Sequence, residues 1–259
     1  MFQTGFRFVR HAQAVACMLV LLGLPGAGAA EAAGKAPSSA EAPADLAEYE
    51  AALSLPADRE NGRRIYLLCV SCHGPEGWGR RDGTYPQIAG QLASVVIKQL
   101  ADIRAGNRAN PIMRAFTSPR VLGGAQEIAD VAAYVASLPM TANNGKGPPH
   151  LREQGADIYA KNCAECHGDA GEGDAEEHVP QLQAQHFNYL KRQFDHIRTG
   201  RRRNADRKMV RQIRGFSRRE ENAVLSFVSH LPPPPEKLAP PGWINPDFPA
   251  LPRPPVNPP

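Results

Sequence analysis

The stretch CVSCHGPEG at residues 69–77 returns, little changed, as CAECHGDAG at residues 163–171. In each copy two cysteines stand three positions apart and a histidine follows the second: Cys69, Cys72 and His73, then Cys163, Cys166 and His167. The chain of 259 residues has only five cysteines, so four of them serve this repeated pattern.

Working outward, the match extends along both halves. Gly62, Ile65 and Tyr66 correspond to Gly155, Ile158 and Tyr159, and Pro86-Gln87 and Gln91 to Pro180-Gln181 and Gln185. Further on, Gln99, Ile103, Arg104, Gly106, Arg108 and Asn110 recur as Gln193, Ile197, Arg198, Gly200, Arg202 and Asn204. Tyr134-Val135 and Leu138-Pro139 recur as Phe227-Val228 and Leu231-Pro232. Matches kept in one order over most of each half indicate a duplicated domain.

Composition sets the expected boundaries. Arg7 and Arg10, the apolar run AVACMLVLLGL and the small residues Ala27-Gly28-Ala29 read as a secretory signal peptide over residues 1–30. That run is too short to cross a bilayer comfortably, and no other stretch approaches a span. Residues 31–57 read as a polar spacer with one helical turn around Leu46–Leu53. Domain 1 is expected over 58–141, a Gly-, Asn- and Pro-containing linker over 142–150, and domain 2 over 151–232. A proline-rich tail, 233–259, holds many of the 25 prolines and is unsuited to regular helix or central strand. Trp243, Ile244 and Phe248 are its candidate anchors, favouring a partly wrapped tail.

Within each half the apolar spacing is helical. Ile128, Val131, Ala132, Val135 and Leu138 follow i, i+3, i+4, i+7, as do Val224, Phe227, Val228 and Leu231. Middle helices are expected through Leu92–Ile103 and Phe187–Ile197, with a short helix before each CxxCH. No alternating strand pattern is present, so the fold class is all-α.

A domain of about eighty residues seldom buries enough apolar area to be stable without a staple or cofactor. The CxxCH pattern supplies a reason: two thiols attach covalently to a haem and the histidine ligates its iron. Zinc needs a fourth ligand that neither half defines, and a redox-active CxxC needs a βαβ context that is missing. A disulfide within CxxC leaves the histidines unexplained. Two covalently bound haem c groups are therefore expected, on Cys69, Cys72, Cys163 and Cys166, with His73 and His167 as axial ligands.

The sixth ligands follow from the methionines. Beyond the signal peptide these are Met113, Met140 and Met209. Met113 and Met209 each follow the matched Gly-x-Arg-x-Asn segment, in loops between middle and last helices, and are expected to complete the two iron sites. Met140 has no partner in the other half and reads as structural or exposed. Three histidines of domain 2, His178, His186 and His196, are alternative ligands, each more simply read as a surface or hydrogen-bonded side chain.

The order CxxCHGxxGxG, YPQIAGQ, GNRANPIM and AAYVASLP resembles the dihaem cytochrome c4 family over about residues 58–232. The resemblance implies two tandem cytochrome c-like haem domains with propionate edges facing one another. It implies Gly62 crossing Tyr134, Gly155 crossing Phe227, and electron transfer in the periplasm. Domain 2 departs from the pattern: VPQLQAQ lacks the glycine of AGQ, and NADRKM lacks the proline of NPIM.

The functional expectation is a relay of single electrons between a dehydrogenase or quinol-oxidising complex and a terminal oxidase or reductase. The alternative is a dihaem enzyme of thiosulfate dehydrogenase or peroxidase type. The thiosulfate dehydrogenase type is disfavoured because, beyond residues 1–30, no cysteine other than the four is left as an axial thiolate. A net charge of +4 is too mild to indicate nucleic acid. The segment RTGRRRNADRKMVRQIRGFSRR places Arg198, Arg201, Arg202, Arg203, Arg207, Lys208, Arg211, Arg214, Arg218 and Arg219 around Met209. That basic region is the candidate docking ground for redox protein partners, acidic ones in particular. The chain is expected to be monomeric, soluble or peripherally associated with a membrane complex.

Overall fold

The computed structural model describes residues 44–253, all within one compact unit. The expected signal peptide lies outside the described residues. Twelve helices and two short 3-10 turns make up this region, and no strand occurs among the described residues.

After α1 (Ala44–Ser54), domain 1 is built from α2 (Arg59–Tyr66), α3 (Val70–His73), α4 (Ala93–Ala105), α5 (Pro111–Phe116), α6 (Pro119–Leu122) and α7 (Ala125–Ser137). Domain 2 repeats the plan with α8 (Arg152–Asn162), α9 (Ala164–His167), α10 (Phe187–Arg198), α11 (Arg207–Arg214) and α12 (Arg218–His230). In each domain the first and last helices cross at a glycine. A Cβ on Gly62 would lie 2.1 Å from the Asp130 carbonyl oxygen, and one on Gly155 would lie 2.1 Å from that of Ala223. Only glycine admits so close an approach. The neighbours at these crossings are Tyr134 and Phe227, as the family resemblance implied.

Each crossing carries an apolar core. Tyr66, Ile128, Val131, Tyr134 and Val135 are buried in the first; Tyr159, Phe194, Ile213, Val224 and Val228 are buried in the second. Tyr66 and Tyr159 also donate their hydroxyls to the Gly74 and Gly168 carbonyls, at 2.8 and 2.7 Å. The core is thereby tied to the turn after each CxxCH.

One region differs from the sequence expectation, and two others, the tail and Met140, take one of the courses expected of them. The spacer before domain 1 contains a three-turn helix, α1, rather than a single turn. Its Ala52 is buried, Tyr49 and Leu53 pack against the first core, and Glu48 pairs with Arg104 of α4. Burial of this apolar face holds the helix, which its composition alone would not predict.

The tail folds back from domain 2 onto domain 1. Phe248 is buried against Tyr66 and Tyr134, and Trp243 packs on Trp78. Asn245 donates to the Pro75 carbonyl at 2.6 Å, and Arg253 pairs with Glu76 at 2.8 Å. Ile244, expected as an anchor, is exposed.

Met140 is buried, with its backbone bonded to Lys237 and Ala239 of the tail and its sulfur accepting from Gln181 Nε2 at 2.9 Å. It is therefore structural rather than exposed.

Candidate functional site

Both CxxCH segments close into a helical turn. The His73 amide donates to the Cys69 carbonyl and the His167 amide to that of Cys163, each at 2.9 Å. The turn brings both thiols and the imidazole onto the wall of one cavity, of about 1650 Å³, that runs through both domains. Cys69, Cys72, His73 and Met113 line it in domain 1; Cys163, Cys166, His167 and Met209 line it in domain 2.

The imidazoles are oriented identically. His73 Nδ1 lies 3.1 Å from the Pro86 carbonyl oxygen and His167 Nδ1 lies 3.1 Å from that of Pro180. A carbonyl can only accept, so the proton sits on Nδ1 and Nε2 keeps a free lone pair. Burial, outweighing the carbonyl bond, lowers both histidine pKa values and keeps the rings neutral. A neutral ring with an anchored Nδ1–H is the form that ligates a metal. Burial pushes the thiol of Cys69 up to about 12 and that of Cys163 up to about 11, so neither is a thiolate at neutral pH.

The methionines sit on helices rather than in loops. Asn110 caps α5 and accepts from the Met113 amide; Asp206 caps α11 and accepts from the amides of Lys208 and Met209. Each methionine is the third residue of its helix. The sequence match pairs Asn110 with Asn204, but the cap pairs it with Asp206. Two additional residues in the second loop are absorbed before the cap, and aspartate replaces the Asn-Pro start. The missing glycine of AGQ is absorbed as well: Ala184 takes φ 52 where Gly90 takes φ 70.

Of the alternative histidines, one lies outside the cavity and two line it. His186 is buried outside the cavity lining, accepting from the Gly145 amide on Nδ1 at 3.0 Å and donating from Nε2 to the Trp78 carbonyl at 2.8 Å. Both ring nitrogens are engaged in joining the domains. His178 and His196 do reach the cavity wall. His178 has φ 55, packs edge-on against Tyr49, and leaves its buried Nδ1 without a partner.

Repeated residues that the sequence showed only as matches face one another across a pseudo-two-fold. Gln91 Nε2 donates to the Gln181 carbonyl, and the Gln181 amide donates to Gln91 Oε1, each at 3.0 Å. Arg108 donates to Gln99 and Gln193 at 2.9 Å each, and Arg202 to the same two residues at 3.0 and 3.4 Å. Burial, then the charge of Arg108, lowers the pKa of Arg202 to about 10, which leaves it protonated at neutral pH. Its Nε is buried without a partner and both arginines line the cavity. A buried cation, Arg108, and a half-buried one, Arg202, with a donor unspent suit an anionic group inside the cavity. The residues present therefore fit haem: paired thiols, a neutral imidazole, a thioether, and cations placed for carboxylates.

Comparison with known proteins agrees. Residues 59–139 match the family model described as cytochrome c, and residues 151–228 match that described as cytochrome c oxidase, cbb3-type, subunit III. A cytochrome c4 from Thiocapsa roseopersicina is 35% identical over 56% of this chain and 76% of its own. The chain belongs to the cytochrome c4 family. It is thus a dihaem electron-transfer cytochrome with two covalently bound haem c groups. A relative named thiosulfate dehydrogenase electron acceptor, from Stutzerimonas stutzeri, is 30% identical over 69% of this chain and 90% of its own. The solved structure of reduced recombinant cytochrome c4 from Pseudomonas stutzeri superposes with a TM-score of 0.60 at 27% identity, covering 68% of this chain and all of that one.

Proposed function

We propose that Cys69 and Cys72 anchor the first haem and Cys163 and Cys166 the second, with His73 and Met113, and His167 and Met209, as the axial ligands. Domain boundaries at 58–141 and 151–232 accompany this assignment. The carrying observation is that one cavity receives the same set of donors from both repeats, with each imidazole held on a backbone carbonyl. Bound haem supplies one-electron exchange at the iron. The chain's own part is to fill both axial positions, keep the rings in place and hold Arg108 and Arg202 toward the propionates. Methionine as the second axial ligand raises the reduction potential relative to two histidines.

On this reading the protein relays single electrons in the periplasm between a dehydrogenase or quinol-oxidising complex and a terminal oxidase or reductase, after loss of residues 1–30. The relative named as an electron acceptor of a dehydrogenase supports a carrier rather than an enzyme. No helix among the described residues is long and apolar enough to cross a membrane. Redox protein partners would meet the basic region around Met209.

Mass spectrometry of the exported protein combined with an optical redox titration tests the assignment. Two covalent haems, cleavage before residue 31 and two low-spin one-electron transitions are expected. Met209→His should lower the potential of one transition alone. If both potentials stay unchanged in that variant, Met209 is not a ligand.

A further inference from the structure

The short helix that carries Met113 is held at its end by a side chain from another helix. Arg104, in the last turn of α4, reaches the C-terminal ends of both α5 and α6. Its Nε donates to the Thr117 carbonyl at 2.5 Å and its Nη2 to the Gly123 carbonyl at 2.7 Å. Thr117 in turn donates its amide to the Met113 carbonyl at 2.8 Å. The third arm of the guanidinium, Nη1, pairs with Glu48 of α1. The Arg104 side chain is only 10% exposed, so its donors are spent inside the protein on these three acceptors.

Helices of six and four residues are too short to persist alone, and the carbonyls at their ends need outside donors. Among the described residues, no side chain of α5 joins the apolar core of domain 1, whereas Met209, Val210 and Ile213 of α11 join that of domain 2. The guanidinium therefore supplies in domain 1 what packing supplies in domain 2. Arg198, which matches Arg104 in the second repeat, pairs with Asp195 and buried Glu221 instead. Helix α1 precedes residues 59–139, the stretch matched by the cytochrome c model, and has no counterpart in the second repeat. Glu48 thus braces the first methionine segment alone.

We infer that Arg104, braced by Glu48, is a positioning residue that holds the Met113 segment against the cavity and so sets how readily another ligand displaces Met113. This rests on the assignment of Met113 as an axial ligand and adds what keeps it there. Displacement requires the segment to swing away, and a competing ligand binds more weakly the more rarely the segment opens. Each hydrogen bond from the guanidinium to the segment makes that opening rarer. With imidazole as competitor, one iron–sulfur bond breaks and one iron–nitrogen bond forms, with no electron gained or lost.

The test titrates imidazole into the oxidised, haem-loaded protein and follows the absorption of the thioether–iron bond. Arg104→Met should bind imidazole about tenfold more tightly, or more, at one of the two haems, the change expected from removing charge-assisted hydrogen bonds. Glu48→Ala, which keeps the arginine, should tighten binding at the same haem by a smaller factor. The two substitutions together should act no more strongly than Arg104→Met, because Glu48 works through Arg104. Adding Met209→His should leave the response in place, which assigns it to domain 1. Phe248→Ala, which loosens domain 1 at the tail, should leave the affinity unchanged. Unchanged affinity in either Arg104→Met or Glu48→Ala would overturn the proposal, as would equal tightening by Phe248→Ala. Loss of all thioether–iron absorption in Met209→His alone would instead overturn the assignment of Met113.

Discussion

Gln185 holds the backbone of Gln87 from across the domain interface. Its Oε1 accepts from the Gln87 amide at 3.1 Å and its Nε2 donates to the Gln87 carbonyl at 2.8 Å. One side chain thereby satisfies both backbone polar groups of the residue that follows Pro86, whose carbonyl orients His73. The interface and the haem pocket are therefore joined through two consecutive residues. Gln185→Ala should leave both backbone groups buried and unpaired, costing about 1–3 kcal/mol. Denaturant unfolding of the haem-loaded protein measures this, and a loss below about 0.5 kcal/mol would mean that water replaces the contact fully.

His186 should make stability depend on pH. Burial lowers its pKa below the ordinary value, outweighing the bond to the Trp78 carbonyl. The folded state then binds fewer protons than the unfolded one, so the stabilisation is complete above the unfolded pKa, near 6.5. It falls away as pH drops below that value toward the folded pKa. His186→Asn should unfold more easily at pH 7 and show a shallower decline of thermal stability between about pH 7 and 5.5. A variant curve parallel to wild type would show that the ring does not titrate with unfolding.

The two left-handed positions should respond unequally to substitution. A Cβ on Gly90 would lie 2.4 Å from Met140 Cγ, in addition to the backbone cost of φ 70, so Gly90→Ala should lose about 2 kcal/mol or more. Ala184 already carries a Cβ at φ 52, and Pro233 stands where Met140 stands in the first repeat. Ala184→Gly relieves backbone strain of about 1 kcal/mol but frees the unfolded chain by a similar amount, so the net change should stay within about 0.5 kcal/mol. Equal losses in the two variants would be inconsistent with the role of Met140.

Phe248 should bind the tail to domain 1. It is 5% exposed and stacks on the aromatic pair at the α2–α7 crossing. Phe248→Ala should cost about 3 kcal/mol of tail docking and open the segment after Pro240 to limited proteolysis. An unchanged cleavage pattern would show that Trp243 and Arg253 suffice to hold it.

The sequence by itself determined the duplication, the all-α class, the covalent attachment chemistry and the candidate donors that line the cavity. Those properties rest on short-range patterns: CxxCH, a 3.6-residue apolar period, and a methionine at a fixed distance. It did not determine which repeated residues face one another, because a repeat shows only that both halves contain a glutamine or an arginine. Closure of the two halves about a pseudo-two-fold turned Gln87, Gln91, Arg108 and their counterparts into an interface. Tertiary structure also decided the fate of residues whose partners lie far along the chain. Phe248 reaches Tyr66, Tyr49 meets His178, and Asp206 takes over a cap that alignment assigned to Asn204. The physical reason is burial: an isolated aromatic or a proline-rich strand has no preferred place until a packed surface removes it from water.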